Sequence, residues 1–190
     1  MIVLGIAGTN GSGKDTVSHM LAERHGFFVG SASEMIEAEL KKRGLPTERA
    51  YKRELSAEWR RQYGMAAIVD RAIEEAEAAG YGKLIVGSLR HPGEADRIHE
   101  LGGKVIWVDA DPKVRYQRIT QNDRGRVEDK KTFEEFLAEE EAEKYQSGDA
   151  ASLSTEAVKE RSDIFIENTQ PTVEAFKDAA EDVLKRAQVI

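Results

Sequence analysis

Five short apolar segments recur along the chain, and each is bounded by glycine or by polar residues. They span residues 2–7, 26–29, 83–87, 104–108 and 163–166. Most are continuously apolar rather than alternating, which is typical of strands that are covered on both faces. The pattern therefore predicts five buried β-strands.

Between these segments, apolar residues recur at the spacing of an amphipathic helix. The predicted helices cover roughly residues 14–25, 33–43, 47–63, 65–79, 93–101, 112–120, 131–145 and 173–187. Pro92, Pro112 and Pro171 stand where a helix can begin, as proline often does. Alternating strands and helices predict an α/β fold with a parallel sheet between helical layers. With 190 residues and no Pro/Ser-rich linker or repeat, residues 1–190 are expected to form one domain.

The segment between the first strand and the first helix, residues 8–16, reads Gly-Thr-Asn-Gly-Ser-Gly-Lys-Asp-Thr. It matches the phosphate-binding pattern G-x-x-x-x-G-K-[ST] except at the last position. The glycines let backbone N–H groups wrap a polyphosphate, the following helix adds its positive end, and Lys14 adds a mobile charge. The segment predicts an ATP site with Lys14 as a catalytic residue. The residues expected to bind ATP there are Gly8, Asn10, Gly11, Ser12, Gly13, Lys14, Asp15 and Thr16.

Asp15 takes the place of the hydroxyl residue that usually ligates Mg²⁺ in this pattern. A carboxylate is also a hard oxygen ligand, so Asp15 and Thr16 are candidate Mg²⁺ ligands. Alternatively, Asp15 is an acidic first-turn residue favoured by the helix dipole, and Thr16 takes over the role of the hydroxyl. The sequence leaves both interpretations open.

In open parallel sheets, ligands gather at the carboxyl ends of the strands, so the residues after each strand are candidate site residues. After the second strand, Glu34 could accept the acceptor's proton or orient metal-bound water, while Ser33 could cap the helix. After the third, Arg90 is a candidate catalytic residue that could clamp an acceptor phosphate or the transferring phosphate bidentately, or it could form a surface ion pair. His91 is expected to be a turn residue rather than a base or a metal ligand.

The fourth strand is followed by Arg115 and Arg118 on one helical face and by an Arg-Gly-Arg turn. These arginines could form a cationic lid in which Arg124 and Arg126 are catalytic, or the turn could be a loop with solvated charges. Asp109 and Asp111 are expected to cap the helix. After the fifth strand, the polar residues 167–172 could border a base or form a plain connection.

The net charge of −7 argues against a general nucleic-acid binder, because phosphate affinity rests on excess lysine and arginine. Residues 41–61 nevertheless contain eight basic and three acidic residues, which predicts a local anion site in which Arg60 and Arg61 bind acceptor phosphate. There is no cysteine, no leader-like segment and no run of membrane-spanning length. A cytoplasmic protein, monomeric or homodimeric, without membrane contact is therefore expected.

Several segments in combination carry a family resemblance. They are residues 8–16, 33–47, 59–64, 87–94, 108–118 and 166–169. The chain resembles the P-loop small-molecule kinases of the nucleoside monophosphate kinase superfamily, most closely the dephospho-CoA kinase-like and archaeal nucleotide kinase-like branch. Related chains commonly read Asp-Gly-Ile-Arg where residues 87–90 of this chain read Gly-Ser-Leu-Arg. Bacterial dephospho-CoA kinases also carry an Asp-containing signature after the second strand, and residues 30–34 lack it. The expected carboxylate after the third strand is therefore missing.

The resemblance implies a three-layer P-loop NTPase fold with a five-stranded parallel sheet in the order 2-3-1-4-5. It also implies a helical acceptor-binding insertion at about residues 31–79 and a lid at about residues 121–131. Arg118, Arg124 and Arg126 would contact ATP phosphates or stack on adenine, and the loop Asn168–Pro171, including Gln170, would border the adenine.

The expected function is transfer of the γ-phosphoryl group from Mg·ATP to a small nucleotide-like acceptor, such as a nucleoside monophosphate or dephospho-CoA. An alternative is a nucleotide-binding ATPase or switch protein without efficient acceptor turnover, which the missing carboxylate motivates. A kinase of nucleic-acid ends is disfavoured by the net charge.

Overall fold

A five-stranded sheet forms the centre of the protein, for which a computed structural model describes residues 1–121, 132–144 and 149–190. The strands are β1 (Ile2–Gly8), β2 (Phe28–Ser31), β3 (Lys83–Gly87), β4 (Lys104–Asp109) and β5 (Ile164–Glu167). Neighbouring strands pair in parallel, in the order β2-β3-β1-β4-β5. The predicted fold class and strand order are confirmed.

The strand register brings the carboxyl ends together at one edge of the sheet. Gly8 pairs with Val108, Ser31 with Gly87, and Asp109 with Glu167. The residues that follow β1, β3, β4 and β5 therefore meet at this edge, where open parallel sheets bind ligands.

Nine helices surround the sheet in the described part of the chain. They are α1 (Lys14–His25), α2 (Ala32–Lys42), α3 (Arg49–Tyr63), α4 (Ala67–Ala78), α5 (Pro92–Glu100), α6 (Pro112–Gln121), α7 (Phe133–Lys144), α8 (Thr155–Glu160) and α9 (Val173–Arg186). The six-residue helix α8, capped by the Ser154 side chain, was not predicted. Of the helices described, none is both long and apolar enough to cross a membrane.

The N-cap of α2 differs from the prediction. Ser31, the last residue of β2, accepts a hydrogen bond from the Glu34 backbone N–H with its hydroxyl, so the helix begins at Ala32. Ser33 is not the cap, because its hydroxyl accepts a hydrogen bond from Lys52 instead. The strand therefore passes into the helix without an intervening loop.

Two apolar cores cover the two faces of the sheet, and β1 contributes to both because its side chains alternate. Leu4 and Ile6 pack in the core formed with α1 and α9, whereas Val3 and Ala7 pack in the core formed with α2 to α5 and α8. All four are at least 97% buried, and a buried leucine or isoleucine contributes roughly 1.5–3 kcal/mol of transfer free energy. This packing fixes the strand that leads into residues 8–16.

Candidate functional site

The connection between β1 and α1 has a backbone that requires glycine. The φ angles of Gly8, Gly11 and Gly13 are 149°, 78° and 99°. A Cβ at Gly8 would lie 2.1 Å from the carbonyl oxygen of Val108. The first-turn N–H groups of α1 have no intrahelical acceptor, and they lie at the positive end of the helix dipole. This loop is therefore built to bind an anion such as phosphate.

Two long-range hydrogen bonds brace the loop against neighbouring strands. The Thr9 hydroxyl donates to Asp109 Oδ1 at 2.6 Å, at the end of β4. Asn168, after β5, donates from Nδ2 to the Ser12 carbonyl at 2.8 Å and is 93% buried. These contacts tie both halves of the loop to the ends of β4 and β5.

Arg115 and Arg118 reach the loop from α6 but differ in role. Arg115 is 3% exposed, and its guanidinium donates to the carbonyls of Ala110 and Asn10 and contacts the Glu140 carboxylate. The expectation that Arg115 belongs to a lid is wrong, because its guanidinium is buried and committed to these partners. Arg118 donates to the Gly11 carbonyl at 3.4 Å.

A first cavity of about 330 Å³ lies between the loop, α6 and the residues after β5. Most of the residues predicted to bind ATP line it. They are Asn10, Gly11, Gly13, Lys14, Asp15, Thr16, Arg118, Asn168, Gln170 and Pro171. Ser12 is fully buried beneath the loop, and Gly8 lies on the other side. Arg124 and Arg126, and the proposed lid beyond Gln121, lie outside the described residues.

The residues around the first cavity fit Mg·ATP. The loop N–H groups, Lys14 and Arg118 offer donors and positive charge to a polyphosphate. Among the residues described, no group of three or more His, Cys, Asp or Glu side chains could hold a metal by itself. Mg²⁺ commonly takes one or two protein oxygen ligands together with phosphate oxygens and water, so its protein ligands need not form such a group. Asp15, exposed in the first turn of α1, and Thr16 line the cavity where such ligands are needed.

A second cavity of about 450 Å³ lies on the other side of the loop. Its walls come from the loop, from the ends of β3 and β4, and from α7 and α8, and include Thr9, Ser88, Arg90, Trp107, Asp109, Leu137, Glu143 and Lys159. Asn10 and Lys14 line both cavities. The two cavities therefore meet at Lys14, whose ammonium group donates to the Thr9 carbonyl at 3.5 Å.

The turn after β3 is held by buried polar contacts. Ser88 has a φ of 60°, the left-handed conformation that favours glycine. Glu94 accepts from the backbone N–H groups of Arg90 and His91 at 2.8 and 3.1 Å. His91 caps α5 as its Nδ1 accepts from Gly93, and its Nε2 donates to the Ala150 carbonyl. The expectation of a structural histidine is confirmed, and burial lowers the pKa of His91, which favours this neutral form.

Arg60 and Glu94 form an ion pair inside the protein. Their side chains are 2% and 1% exposed, and Arg60 Nη2 lies 2.8 Å from Glu94 Oε1. The prediction that Arg60 binds acceptor phosphate is wrong, because its guanidinium is buried and paired with Glu94. Through Glu94, this pair holds the turn that carries Arg90. Arg61 is exposed and pairs with Asp149, away from both cavities.

Three other arginines converge on Glu143 of α7. Arg49 and Arg53 of α3 approach Oε1 at 3.1 and 2.9 Å, and Arg90 approaches Oε2 at 3.1 Å. Burial raises the pKa of Glu143, but the three guanidinium groups outweigh this and hold its pKa below the usual range. Two arginines of the basic segment, Arg49 and Arg53, therefore bind a carboxylate of the chain itself.

Glu34 lies outside this arrangement. Its side chain is exposed on the first turn of α2, and it lines neither cavity. Asp109 was expected to be a helix cap, whereas its carboxylate accepts from Thr9 and lines the second cavity. Asp111 is the residue that caps α6, through the Lys113 and Val114 N–H groups. The position of Asp109 at the end of β4, next to β1, is the sequence signal that could have identified it.

The fold is found in solved structures of small-molecule kinases. A shikimate kinase from Bacteroides thetaiotaomicron matches with a TM-score of 0.62 and 12% identity, covering 98% of each chain. A gluconokinase from Sinorhizobium meliloti 1021 matches with a TM-score of 0.54 and 16% identity, covering 98% of this chain and 93% of the other. At these identities the likeness establishes the shared fold.

Sequence relatives give the family. A UPF0200 protein of Pyrobaculum aerophilum is 33% identical over 137 residues, which are 71% of this chain and 73% of that protein. A UPF0200 protein of Methanothermobacter thermautotrophicus is 28% identical over 192 residues, which cover 99% of this chain and 92% of that protein. A family model described as an AAA domain matches residues 4–146. The chain therefore belongs to the AAA domain family of P-loop proteins and, with these relatives, to the UPF0200 proteins.

Proposed function

We propose that this protein is an ATP-dependent phosphotransferase that moves the γ-phosphoryl group to a small nucleotide-like acceptor. A nucleoside monophosphate or dephospho-CoA is the class of acceptor that the sequence resemblance favours. The observation that carries the proposal is the position of Lys14 between two cavities, one lined by the loop and α6, the other by Arg90 and Asp109. Such a junction suits transfer of a phosphoryl group from one ligand to another.

On the donor side, the loop N–H groups and Lys14 would bind the β- and γ-phosphates, and Arg118 would contact the phosphates from α6. Gln170 and Pro171 would border the adenine. Asp15 and Thr16 would hold Mg²⁺, which supplies charge neutralisation at the β- and γ-phosphate oxygens when bound. Arg124 and Arg126 are proposed to complete this charge neutralisation from the segment after α6.

On the acceptor side, Arg90 would orient the acceptor in the second cavity. The site lacks a carboxylate at the end of β3, where Gly87 and Ser88 stand, but Asp109 at the end of β4 lines the same cavity. Phosphoryl transfer depends mainly on positioning and electrostatic stabilisation, so Lys14 and the arginines supply most of what the reaction requires. Glu34 has no part in the proposed reaction, because its side chain is exposed and lines neither cavity.

A second candidate is a protein that binds ATP as a switch and has no efficient acceptor turnover. The absence of a carboxylate at residues 87–90 favours it. Tight nucleotide binding without stimulation of ADP release by any acceptor is the behaviour expected of such a switch.

The decisive experiment incubates the protein with Mg²⁺ and γ-labelled ATP in the presence of nucleoside monophosphates, deoxynucleotides, dephospho-CoA or small phosphorylated metabolites. A kinase transfers label to one class of acceptor, and that acceptor stimulates ADP release. Short oligonucleotides form a further arm, in which no transfer is expected from a chain of net charge −7. Two controls complete the experiment. Lys14→Ala should transfer no label, which assigns the reaction to this loop, and wild type should transfer no label from α-labelled ATP, which shows that the γ-phosphoryl group is the one that moves.

A further inference from the structure

The carboxylate of Glu143 lies where three positive charges meet. Arg49 and Arg53 reach it from α3, and Arg90 reaches it from the turn after β3. The Glu143 side chain is 13% exposed, and both Glu143 and Arg90 line the second cavity. Four ionic side chains from three separate parts of the fold therefore meet beside the second cavity, and one of them, Arg49, lines the first cavity.

We propose that Glu143 is a built-in competitor for the acceptor's phosphate: its carboxylate occupies the subsite formed by Arg49, Arg53 and Arg90 until a phosphomonoester displaces it. This inference rests on the proposed function, because it concerns the acceptor side of the same site. It names a phosphate group, rather than a carboxylate, as the part of the acceptor that this subsite binds.

The number of oxygen atoms favours phosphate. Glu143 offers two oxygens to three guanidinium groups, so Arg49 and Arg53 share Oε1 while Arg90 takes Oε2. A phosphomonoester has three peripheral oxygens and can give one to each arginine. Arg53 Nε is also buried without a hydrogen-bond partner among the described residues, which leaves a further donor for an added oxygen.

The charges favour phosphate as well. Arg49 also lies 3.6 Å from Glu139, so three guanidinium groups face two carboxylates and one positive charge stays uncompensated. Replacing the Glu143 carboxylate by a dianion compensates that charge, whereas another monoanion leaves it. Burial lowers the pKa of Arg90, the neighbouring Arg49 and Arg53 lower it too, and Glu143 only partly opposes this. An acceptor that brings a dianion therefore gains more from this subsite than one that brings a carboxylate.

The consequence is a threshold for occupancy. Three charge-assisted contacts hold Glu143, so a weakly charged molecule does not displace it. A phosphorylated acceptor makes stronger contacts with the three arginines than Glu143 does, and these contacts offset the cost of displacing the Glu143 carboxylate. Glu143 then moves toward the second cavity, which it already lines. Removing the Glu143 charge should open the subsite to phosphate without any nucleotide present.

The test measures binding of inorganic phosphate by calorimetry to wild type, Glu143→Gln and the control Glu134→Gln, without ATP. Glu134 is exposed in the first turn of the same helix and lines neither cavity, so its substitution removes the same charge without freeing the arginines. Phosphate binding to the loop is common to all three proteins, so a difference between them reports on the arginine subsite. We expect Glu143→Gln to bind phosphate about tenfold more tightly, the equivalent of one charge-assisted hydrogen bond, and the control to match wild type.

Three further arms sharpen the test. Adding Arg90→Gln to Glu143→Gln should abolish the gain in phosphate affinity. The affinity for acetate should rise less in Glu143→Gln than the affinity for phosphate does. Glu143→Asp keeps the charge but shortens its reach, so this variant should bind phosphate with an affinity between those of wild type and Glu143→Gln, even if Glu143→Gln does not fold. Wild-type phosphate affinity in both Glu143 variants, or equal gains for acetate and phosphate, overturns the inference. Because no ATP is used, either result stands apart from the outcome of the kinase assay.

Discussion

The two sides of the Lys14 junction are built differently. The loop side is made mostly of backbone, in which three glycines with positive φ and the first turn of α1 form an anion site within one continuous segment. The side of the second cavity, which is the proposed acceptor side, is supported by side-chain charges from distant positions, with Arg60 and Glu94 34 residues apart and Arg53 and Glu143 90 residues apart. A backbone site is preformed, whereas a site of paired charges can exchange one partner for a ligand.

Removing one partner of the buried Arg60–Glu94 pair should have the largest effect on stability of the substitutions considered near the second cavity. Arg60→Ala leaves Glu94 buried without its counter-charge, and loss of one partner of such a pair costs about 3–5 kcal/mol of unfolding free energy. Arg61→Ala is the matched control, since Arg61 and Asp149 are 56% and 51% exposed and such a pair contributes at most about 1 kcal/mol. Urea denaturation measures both. Equal losses in the two variants would show that burial does not distinguish the neighbouring arginines.

Lys14 tests the loop side, where charge should matter for the reaction and not for the fold. Lys14→Ala removes a preorganised charge from the junction of the cavities, and we expect kcat to fall by at least about a hundredfold. Lys113→Ala, an exposed lysine on α6 that lines neither cavity, is the control. Steady-state kinetics measure the change in kcat, and circular dichroism shows whether the variant keeps its fold. A near-normal kcat in folded Lys14→Ala would remove this loop from the reaction.

The same contrast explains what the sequence could predict. The loop lies in nine consecutive residues, and the apolar segments are bounded by glycine or polar residues, so the loop, the strands and their order followed from local patterns and from the family resemblance. The acceptor side depends on which charges meet in three dimensions. The excess of basic residues in 41–61 indicated an anion site, but partners far along the chain separate its arginines. Glu94 and the Ala151 carbonyl hold Arg60 inside the protein, whereas Arg49 and Arg53 pair with Glu143.

Local patterns also failed where a helix face has two possible neighbours. Arg115 and Arg118 lie three residues apart on one face of α6, and spacing alone does not tell whether that face meets solvent or protein. Arg115 is buried because α7 places Glu140 and Phe136 beside its guanidinium. Helix α8 was missed because six residues give too little periodicity to recognise.

Arg90 offers a test of the division between the two sides. Because Arg90 lines the second cavity and not the first, Arg90→Gln should raise the acceptor KM by about tenfold, the value of one charge-assisted hydrogen bond. The KM for ATP should change by less than about twofold, since interactions across separate cavities are nearly independent. Arg61→Gln, on the exposed end of α3, is the control. A parallel rise in both KM values would place Arg90 at the transferring phosphate and not at the acceptor.

Asp15 gives the smallest expected effect and the finest test of the loop side, because it separates a metal ligand from a first-turn residue. Its carboxylate is exposed in the first turn of α1 and lines the first cavity beside Thr16. As a metal ligand, Asp15→Ala should need more Mg²⁺ for half-maximal kcat, and Asp15→Ser should keep substantial activity because it restores a hydroxyl ligand. In either role, loss of the dipole interaction should cost only about 0.3–1 kcal/mol of stability. Glu174→Ala, in the first turn of α9 and outside both cavities, removes a comparable charge and should leave the Mg²⁺ midpoint unchanged. If Asp15→Ala titrates with Mg²⁺ as wild type does, the carboxylate serves the helix alone, and Thr16 with the phosphates must hold the metal.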